Sequence, residues 1–591
     1  MKYNRIILFI IGILIAAGCE KFPVGGNFLE KAPGVDVTKD SIFAKKEYAE
    51  RFLWGAYETL PYGINTANNG WRNKMSHDLL ESITDLSHSY LNWGGPFTQY
   101  YPGLYNSSTE NSSNATKYHL TQERGFEGIR KARLFIANID HTPDIDEAYR
   151  NRLKAEAKII IGIHYMEFFR HYGGMPWLSK SFTVTDDFTS IPRLTAQATC
   201  DSIVKLCDEA AVDLPWAIDN LPEWDGRFTK ASAMGLKVRA LHFNASPVFN
   251  AAQPYLDGQA ATDHLVWHGG YDVNLWKIAA DAAHELIVQA ETTGDYGIHK
   301  TGASARKDFQ DAYYKRGLKE VIISCRDMFR TPNASWDYTF YWSSMGWGST
   351  NPTNDYVEMF PMANGLPITD PASGYDENNP YVNRDPRLYE SVLLNGDSYK
   401  GRTAELWITG RERRNQAGTQ AQTGYIVRKF MLEGNASTSY QSITHWPWLR
   451  MAEIYLNYAE AMNEFNGGPT AECYRCVNIV RDRVNLPGLP AGLSKEEFRE
   501  ALILERALEF GMEEVRWFDL IRWKREADFR KPLHGMDIFR SASAPYTYTY
   551  TKTNLPSRYW QANWSPKWYF SAFPLNEVNK GYGLIQNPGW E

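Results

Sequence analysis

Cysteine is scarce in this 591-residue chain, six in all. Apart from Cys19 the set is Cys200, Cys207, Cys325, Cys473 and Cys476, an odd number too dispersed for a disulfide framework. Cys473 and Cys476 form a CxxC, but they lie in AECYRCVNIVRDR, which reads as a helix, and no second CxxC or histidine pair completes a tetrahedral zinc site. They read as small packed residues. No apolar run reaches the ~20 residues that a bilayer span requires; the run from Ile6 to Ala17 is clearly shorter. Charge of one sign does not accumulate: 63 Lys and Arg face 69 Asp and Glu, a net charge of -6. Nothing here suits a nucleic-acid surface. Catalytic and cofactor motifs are missing as well. There is no GxSxG, no P-loop, no GxGxxG and no Glu-x-x-His, and HELIV from His284 begins like a zincin helix but lacks the second histidine.

What is present begins at the N-terminus. Lys2 and Arg5 precede the short apolar run, and the small residues Ala16, Ala17 and Gly18 lead directly into Cys19. This reads as a secretory signal over 1–18, and the placement of Cys19 resembles a bacterial lipobox, with Ala16 where Leu is more usual. That implies a mature chain starting at a lipid-bearing Cys19, anchored stably by several acyl chains. The Gly-, Pro- and Val-rich tract that follows, to Val37, suits a tether over 19–37.

The length prior allows about four domains, but a repeat architecture needs fewer. Helical patterns run to about Glu291. DSIFAKKEYAERFLWGAYETL begins at an Asp40 cap, DEAYRNRLKAEAKIIIGIHYMEFFRHYGG ends at Gly173 and Gly174, and TKASAMGLKVRALHFNAS from Thr229 alternates small and large apolar residues as closely packed helices require. From about Lys319 the texture changes to short strand-like runs, EVIIS and GYIVRKF, among long loops. Helices return in MAEIYLNYAEAMNEF and in SKEEFREALILERALEFGMEEVRWFDLIRWK, where Ser494 and Glu497 are spaced as a capping box and the inward stripe is expected through Ala501, Leu504, Leu508, Met512, Val515 and Phe518. The fold class is mostly α, paired helices with a loop-rich insertion.

On that last helix Glu505, Glu509 and Glu513 share a face. A glycosidase needs two carboxylates on opposite sides of the scissile bond, so three on one helix are the wrong arrangement without a partner elsewhere. Arg506, Arg516 and Arg522 stand at helical distances suited to neutralising them, and structural ion pairing is the expectation. An all-helical glycoside hydrolase stays open as a rival. The DPASGYDENN loop from Asp370 collects oxygen ligands but lacks the EF-hand spacing, so a solvated acidic loop is expected.

LRMAEIYLNYAEAMNE, LERALEFGMEEVRWFDLIRW and the ending QNPGW from Gln586, with PTNDYVEMFPMANGLPI, NRDPRL from Asn383 and TGYIVRKF from Thr423 upstream, resemble in that order the signature of the SusD/RagB family. The resemblance implies tetratricopeptide-like helix-turn-helix repeats over 38–591, divided as 38–318, a variable insertion at 319–440 and a signature region at 441–591. It also implies a lipid-anchored protein at the outer-membrane cell surface that is not an enzyme. Such a protein captures a nutrient, usually a glycan, and delivers it as a lid on a SusC-like TonB-dependent transporter. A peptide-binding RagB-like role is the alternative within the family. Glu505, Glu509, Arg516 and Trp517 would tie the last repeat helix to its neighbours.

Two surfaces are candidates for the ligand. SWDYTFYWSSMGWGS, from Ser335 to Ser349, holds Trp336, Tyr338, Phe340, Tyr341, Trp342 and Trp347. A pyranose C–H face suits such rings, and its hydroxyls suit the interleaved Asp, Ser and Thr. Trp336, Tyr338, Phe340 and Trp342 also alternate with period two, as the buried face of a strand would. The second tract, Asn65 to Tyr105, holds Trp71, Arg72, Asp78, Asp85, Asn92, Trp93, Tyr100 and Tyr101. GWRNK and NWGGP set tryptophan beside glycine and polar donors, which suits an exposed ring, while Trp71 and Trp93 also suit plugs in the first repeat; Arg72 suits an acidic sugar. The abundance of Trp and Tyr suits a branched plant polysaccharide.

Overall fold

The computed structural model describes residues 39–63, 74–112, 114–118, 120, 124–182, 185–187, 189, 191–326, 349–399, 401–413, 421–431 and 445–591. Cys19 and the tether, Trp71, Arg72, Trp336, Tyr338, Tyr341, Trp342 and Trp347 lie outside these residues.

The long helices are α1 (Lys46–Tyr57), α2 (Gly125–Asn138), α3 (Glu147–Tyr172), α4 (Ala196–Ala211), α5 (Lys230–Ala245), α6 (Asn274–Thr293), α7 (Met451–Asn466), α8 (Ala471–Arg483) and α9 (Lys495–Phe510). From α1 to α6 each packs on the next in the chain, and α6 packs on α7, so the stack continues across the long intervening segment. The chain is helix-rich with few short strands, a tetratricopeptide-like helical fold.

Local chemistry explains the boundaries. Asp146 accepts from Tyr149 N to open α3, and Gly173, at φ 81°, closes it. α5 starts at a capping box between Thr229 and Ser232, and α9 at the expected one between Ser494 and Glu497. The small residues of α5 are where neighbours approach: a Cβ on Gly235 would stand 2.7 Å from Leu449 Cδ2. Cys473 and Cys476 are buried in α8. No helix among the described residues is long and apolar enough to cross a membrane.

Two expected helices are broken. The first is not capped by Asp40, which sits in the first turn of a short helix, Lys39–Phe43. The chain is extended at Lys45 before α1 begins. That break folds Phe43 back onto Phe52 and Phe135, 5.7 and 6.1 Å between ring centroids. The second break follows α9. Gly511 packs against Tyr356, whose hydroxyl would lie 2.0 Å from a Cβ there. Met512 and Glu514 then take positive φ, and helix α10 (Arg516–Arg522) starts afresh. Lys429 Nζ donates to the carbonyls of Glu509 and Gly511, 3.2 and 2.9 Å, placing a cation at the negative end of α9.

Leu508, Met512 and Phe518 of the expected inward stripe are buried, and α9 buries charge beside them. Leu504 is 40% exposed, whereas Glu505 and Glu509 are buried. Their partners are not Arg506, Arg516 and Arg522, which bind Asp519, Asp85 and Glu460 respectively. Instead Arg387 of NRDPRL bonds Glu505 at 2.6 Å, Arg481 takes its other oxygen at 2.8 Å, Arg450 bridges Glu320 and Glu509 at 2.8 Å each, and Arg483 joins the same two acids. Lys429 Nζ reaches Glu513 at 2.6 Å. Five carboxylates (Glu320, Asp385, Glu505, Glu509, Glu513) thus meet five cations (Arg387, Lys429, Arg450, Arg481, Arg483), each group 8% exposed or less. Such a set stays buried because every charge has an opposite within hydrogen-bond reach.

The network joins the stack to the inserted segment. Val321–Cys325 leaves and Trp446–Arg450 returns as one antiparallel pair, with Val321 opposite Arg450. Glu320 and Arg450, at the foot of that pair, are both held from α8 and α9. The motifs that carry the family resemblance are therefore the two sides of one electrostatic joint.

Candidate functional site

The second candidate tract is mostly scaffold, and it carries one exposed tip. Ser87–Ser89 pairs antiparallel with Thr350–Pro352, His88 opposite Asn351, and Tyr90 N donates to the carbonyl of Ser349 at 3.3 Å. Ser349 is the last residue of SWDYTFYWSSMGWGS, so the aromatic run joins the described fold at the strand that leads to Asn92 and Trp93.

Asp78 holds this sheet from beneath. Its carboxylate accepts from Ser82 Oγ at 2.9 Å, Ser89 Oγ at 2.7 Å and Thr350 Oγ1 at 3.1 Å, one donor from each of three segments. Burial pushes its pKa up, and these hydroxyls together with that of Ser349 offset only part of this, leaving it at about 7. Tyr101, buried beside it, donates to Ser82 O at 2.6 Å and accepts from Ser89 N at 2.8 Å. Tyr100 stacks on Tyr105 at 4.7 Å, and Asp85 is bidentate to Arg516 at 2.9 and 2.7 Å. These four residues of the tract position the site and do not face the solvent.

Asn92 and Trp93 do. Trp93 is 47% exposed. The NWGGP spacing works as expected from its glycines: a Cβ on Gly94 would stand 2.2 Å from Ser76 Oγ, and one on Gly95, at φ 66°, 2.4 Å from the Met75 carbonyl. Only glycine lets the chain pass so close over the 75–78 turn, and this anchors the backbone immediately after the tryptophan. The arrangement offers an indole on a fixed base beside an amide that both donates and accepts, which is the chemistry of sugar stacking.

It is not the chemistry of glycoside hydrolysis. Burial raises the Glu505 and Glu509 carboxyls, but the arginines around them outweigh it and hold both below the ordinary range. Neither has a proton to give a leaving group, and neither faces a cleft. Among the described residues no group of three or more His, Cys, Asp or Glu is arranged to hold a metal ion. In the DPASGYDENN loop Asp370 and Asp376 turn back on their own backbone, accepting from Ala372 N at 2.8 Å and Asn378 N at 2.9 Å.

Comparison with known proteins agrees with this architecture. Residues 323–590 match the model of the SusD family. The SusD-like protein P38 of Formosa agariphila is 23% identical over 554 residues, covering 90% of this chain and 93% of that protein. Among solved structures, a SusD-like protein of Bacteroides fragilis superposes with a TM-score of 0.72 at 23% identity, over 95% of this chain and 100% of the other. A laminarin-binding SusD-like protein does so with a TM-score of 0.59 at 17% identity, over 93% and 100%. Residues 323–590 thus match the SusD family, and over nearly its whole length the chain is similar to SusD-like proteins.

Proposed function

We propose that this chain is a non-catalytic glycan-binding lipoprotein of the outer-membrane cell surface, anchored through Cys19, that captures an oligo- or polysaccharide and passes it to a SusC-like TonB-dependent transporter. The observation that carries the reading is the exposed Trp93, beside Asn92, in the turn that follows the strand beside which the end of the aromatic run lies. In this reading Trp336, Tyr338, Tyr341, Trp342 and Trp347 complete a platform with Trp93, Trp71 and Asn92, and Arg72 selects for an acidic substituent. Residues 319–440 form the variable unit that sets the ligand, and 441–591 the conserved frame. The laminarin-binding neighbour supports a polymeric sugar as the ligand class. Capture is by stacking, and the energy for uptake enters through the transporter.

The chain from Cys19 onward, with that cysteine replaced so that it stays soluble, is run in native affinity gels containing plant and host polysaccharides. Trp93→Ala weakens binding of the retarding glycan by about tenfold, the scale of one stacked ring, and Trp336→Ala and Trp347→Ala weaken it similarly. Unchanged retardation in all three variants places the platform elsewhere.

A further inference from the structure

A cleft of about 580 Å³ opens between α1, the start of α3 and the turn at 221–227. It shares no residue with the Ser87–Trp93 surface. Among its described lining residues are four half-buried rings from three elements: Trp54 and Tyr57 on α1, Tyr149 on α3 and Trp224 on the turn. One guanidinium ties three of them together. Arg227 stands 5.1 Å from the Trp54 centroid, 5.5 Å from Tyr149 and 4.5 Å from Trp224. Its Nε is fixed on Glu156, a fully buried carboxylate, at 3.0 Å. Arg152, bonded to the same Glu156, covers Trp224 at 3.7 Å. The rings are therefore held in place before any ligand arrives, which lowers the ordering cost of binding.

The rim decides the ligand class. Among the described residues Lys46, Arg227 and Arg326 supply three positive charges and Glu50, Asp146, Glu223 and Asp225 four negative ones, a sum of -1. Four carboxylates argue against a sulfated or phosphorylated ligand, and the three cations argue against an amine. A neutral saccharide suits both features, its C–H faces on the indoles and its hydroxyls between carboxylate acceptors and guanidinium donors. The volume falls within the range of small-ligand sites.

The position of the cleft adds a second argument. Ser324 and Arg326, the last described residues before the segment that contains the aromatic run, line the cleft, and the chain resumes at Ser349 beside Tyr90. The segment thus leaves the fold at one surface and rejoins it at the other.

We infer that this cleft is a second carbohydrate-binding site, which takes a short neutral stretch of the same polymer that the Trp93 platform holds. The inference rests on the glycan-capture reading. Two sites on one chain raise the avidity for a polymer without raising the affinity of either site for a fragment.

The test uses the soluble chain and a polysaccharide that retards it. Trp224→Ala and Trp54→Ala each weaken retardation by about threefold to tenfold, the scale of one ring contact, with Trp224→Phe in between and far-ultraviolet circular dichroism unchanged. Calorimetry with a short oligosaccharide of that polymer gives a stoichiometry that falls from about two to about one in the Trp224 variant. Wild-type retardation in both alanine variants, with a stoichiometry of one throughout, overturns the inference and leaves capture at Trp93 intact. If Trp224→Ala does not fold, Trp54→Ala and Glu50→Gln carry the same comparison. A wild-type chain retarded by no glycan overturns both readings together.

Discussion

Glu509→Gln lowers the unfolding free energy by about 3–5 kcal/mol, the penalty for removing one partner of a fully buried ion cluster. The side chain is as well placed for this as any in the molecule. It is 0% exposed and accepts from Arg450 on one oxygen at 2.8 Å and from Arg387, at 3.4 Å, and Arg483 on the other. Glutamine keeps the shape but leaves three guanidiniums around a neutral amide whose own N–H groups point at them. Leu504→Gln, five residues earlier on the same helix, changes stability by no more than about 0.5 kcal/mol because Leu504 is already 40% exposed. Urea midpoints of the two variants check this. If the leucine change is the damaging one, the charged joint does not hold α9 as described above.

The second large effect is a dependence of stability on pH at Asp78. The carboxyl is fully buried among the hydroxyls of Ser82, Ser89, Ser349 and Thr350, and burial lifts its folded-state pKa from the ordinary 3.8 to about 7. Between those values the folded chain holds a proton that the unfolded chain has released. Stability from this group is therefore complete below pH 3.8, declines as pH rises and levels off above about 7. At 1.36 kcal/mol per unit the decline amounts to roughly 4 kcal/mol as an upper bound. Glu81, raised to about 8 by burial and by Glu514, acts in the same direction. Asp78→Asn keeps the size and an acceptor for one hydroxyl, and its amide donates to the others. Urea midpoints at pH 5 and pH 8 converge in this variant relative to the parent, and an unchanged difference between them contradicts the assignment. Acid loss has a different origin. Arg239 overcomes the burial of Glu453 and holds it at about 2, so that pair stabilises the fold above the ordinary glutamate range and is lost as pH falls toward 2.

Much of the helical stack is legible in the sequence because caps and spacings are local. Thr229, Ser494 with Glu497, and Gly173 mark ends that the structure keeps. The breaks after Phe43 and Phe510 are not legible, because each is imposed by a distant partner: Phe135 in one case, Tyr356 and Lys429 in the other. The burial of Glu505 and Glu509 has the same cause. The apolar stripe marks Leu508, Met512 and Phe518 as buried, but nothing local shows that a second face of α9 meets a row of arginines contributed from 387 to 483.

The candidate surfaces were legible in part. NWGGP suits either an exposed ring or a plug in the first repeat, and Trp93 is exposed. Asp78, Tyr100 and Tyr101, in the same polar and aromatic texture, are buried instead, since composition does not separate a ring that supports a strand from one that faces solvent. The cleft at Trp54, Tyr149 and Trp224 left no trace in a linear reading. Those three rings are far apart in sequence, and the residue that gathers them, Arg227, is an unremarkable basic residue in a turn.

The central claim is capture of a glycan without turnover. The most direct measurement titrates the soluble chain by calorimetry with oligosaccharides from a panel of plant and algal polysaccharides, with tryptic peptides in parallel, and assays the same mixtures for new reducing ends. The account predicts saturable heat with one glycan, none with peptides, and no reducing ends. Saturable binding of peptides with no glycan response, or reducing ends released in proportion to the protein, would contradict it.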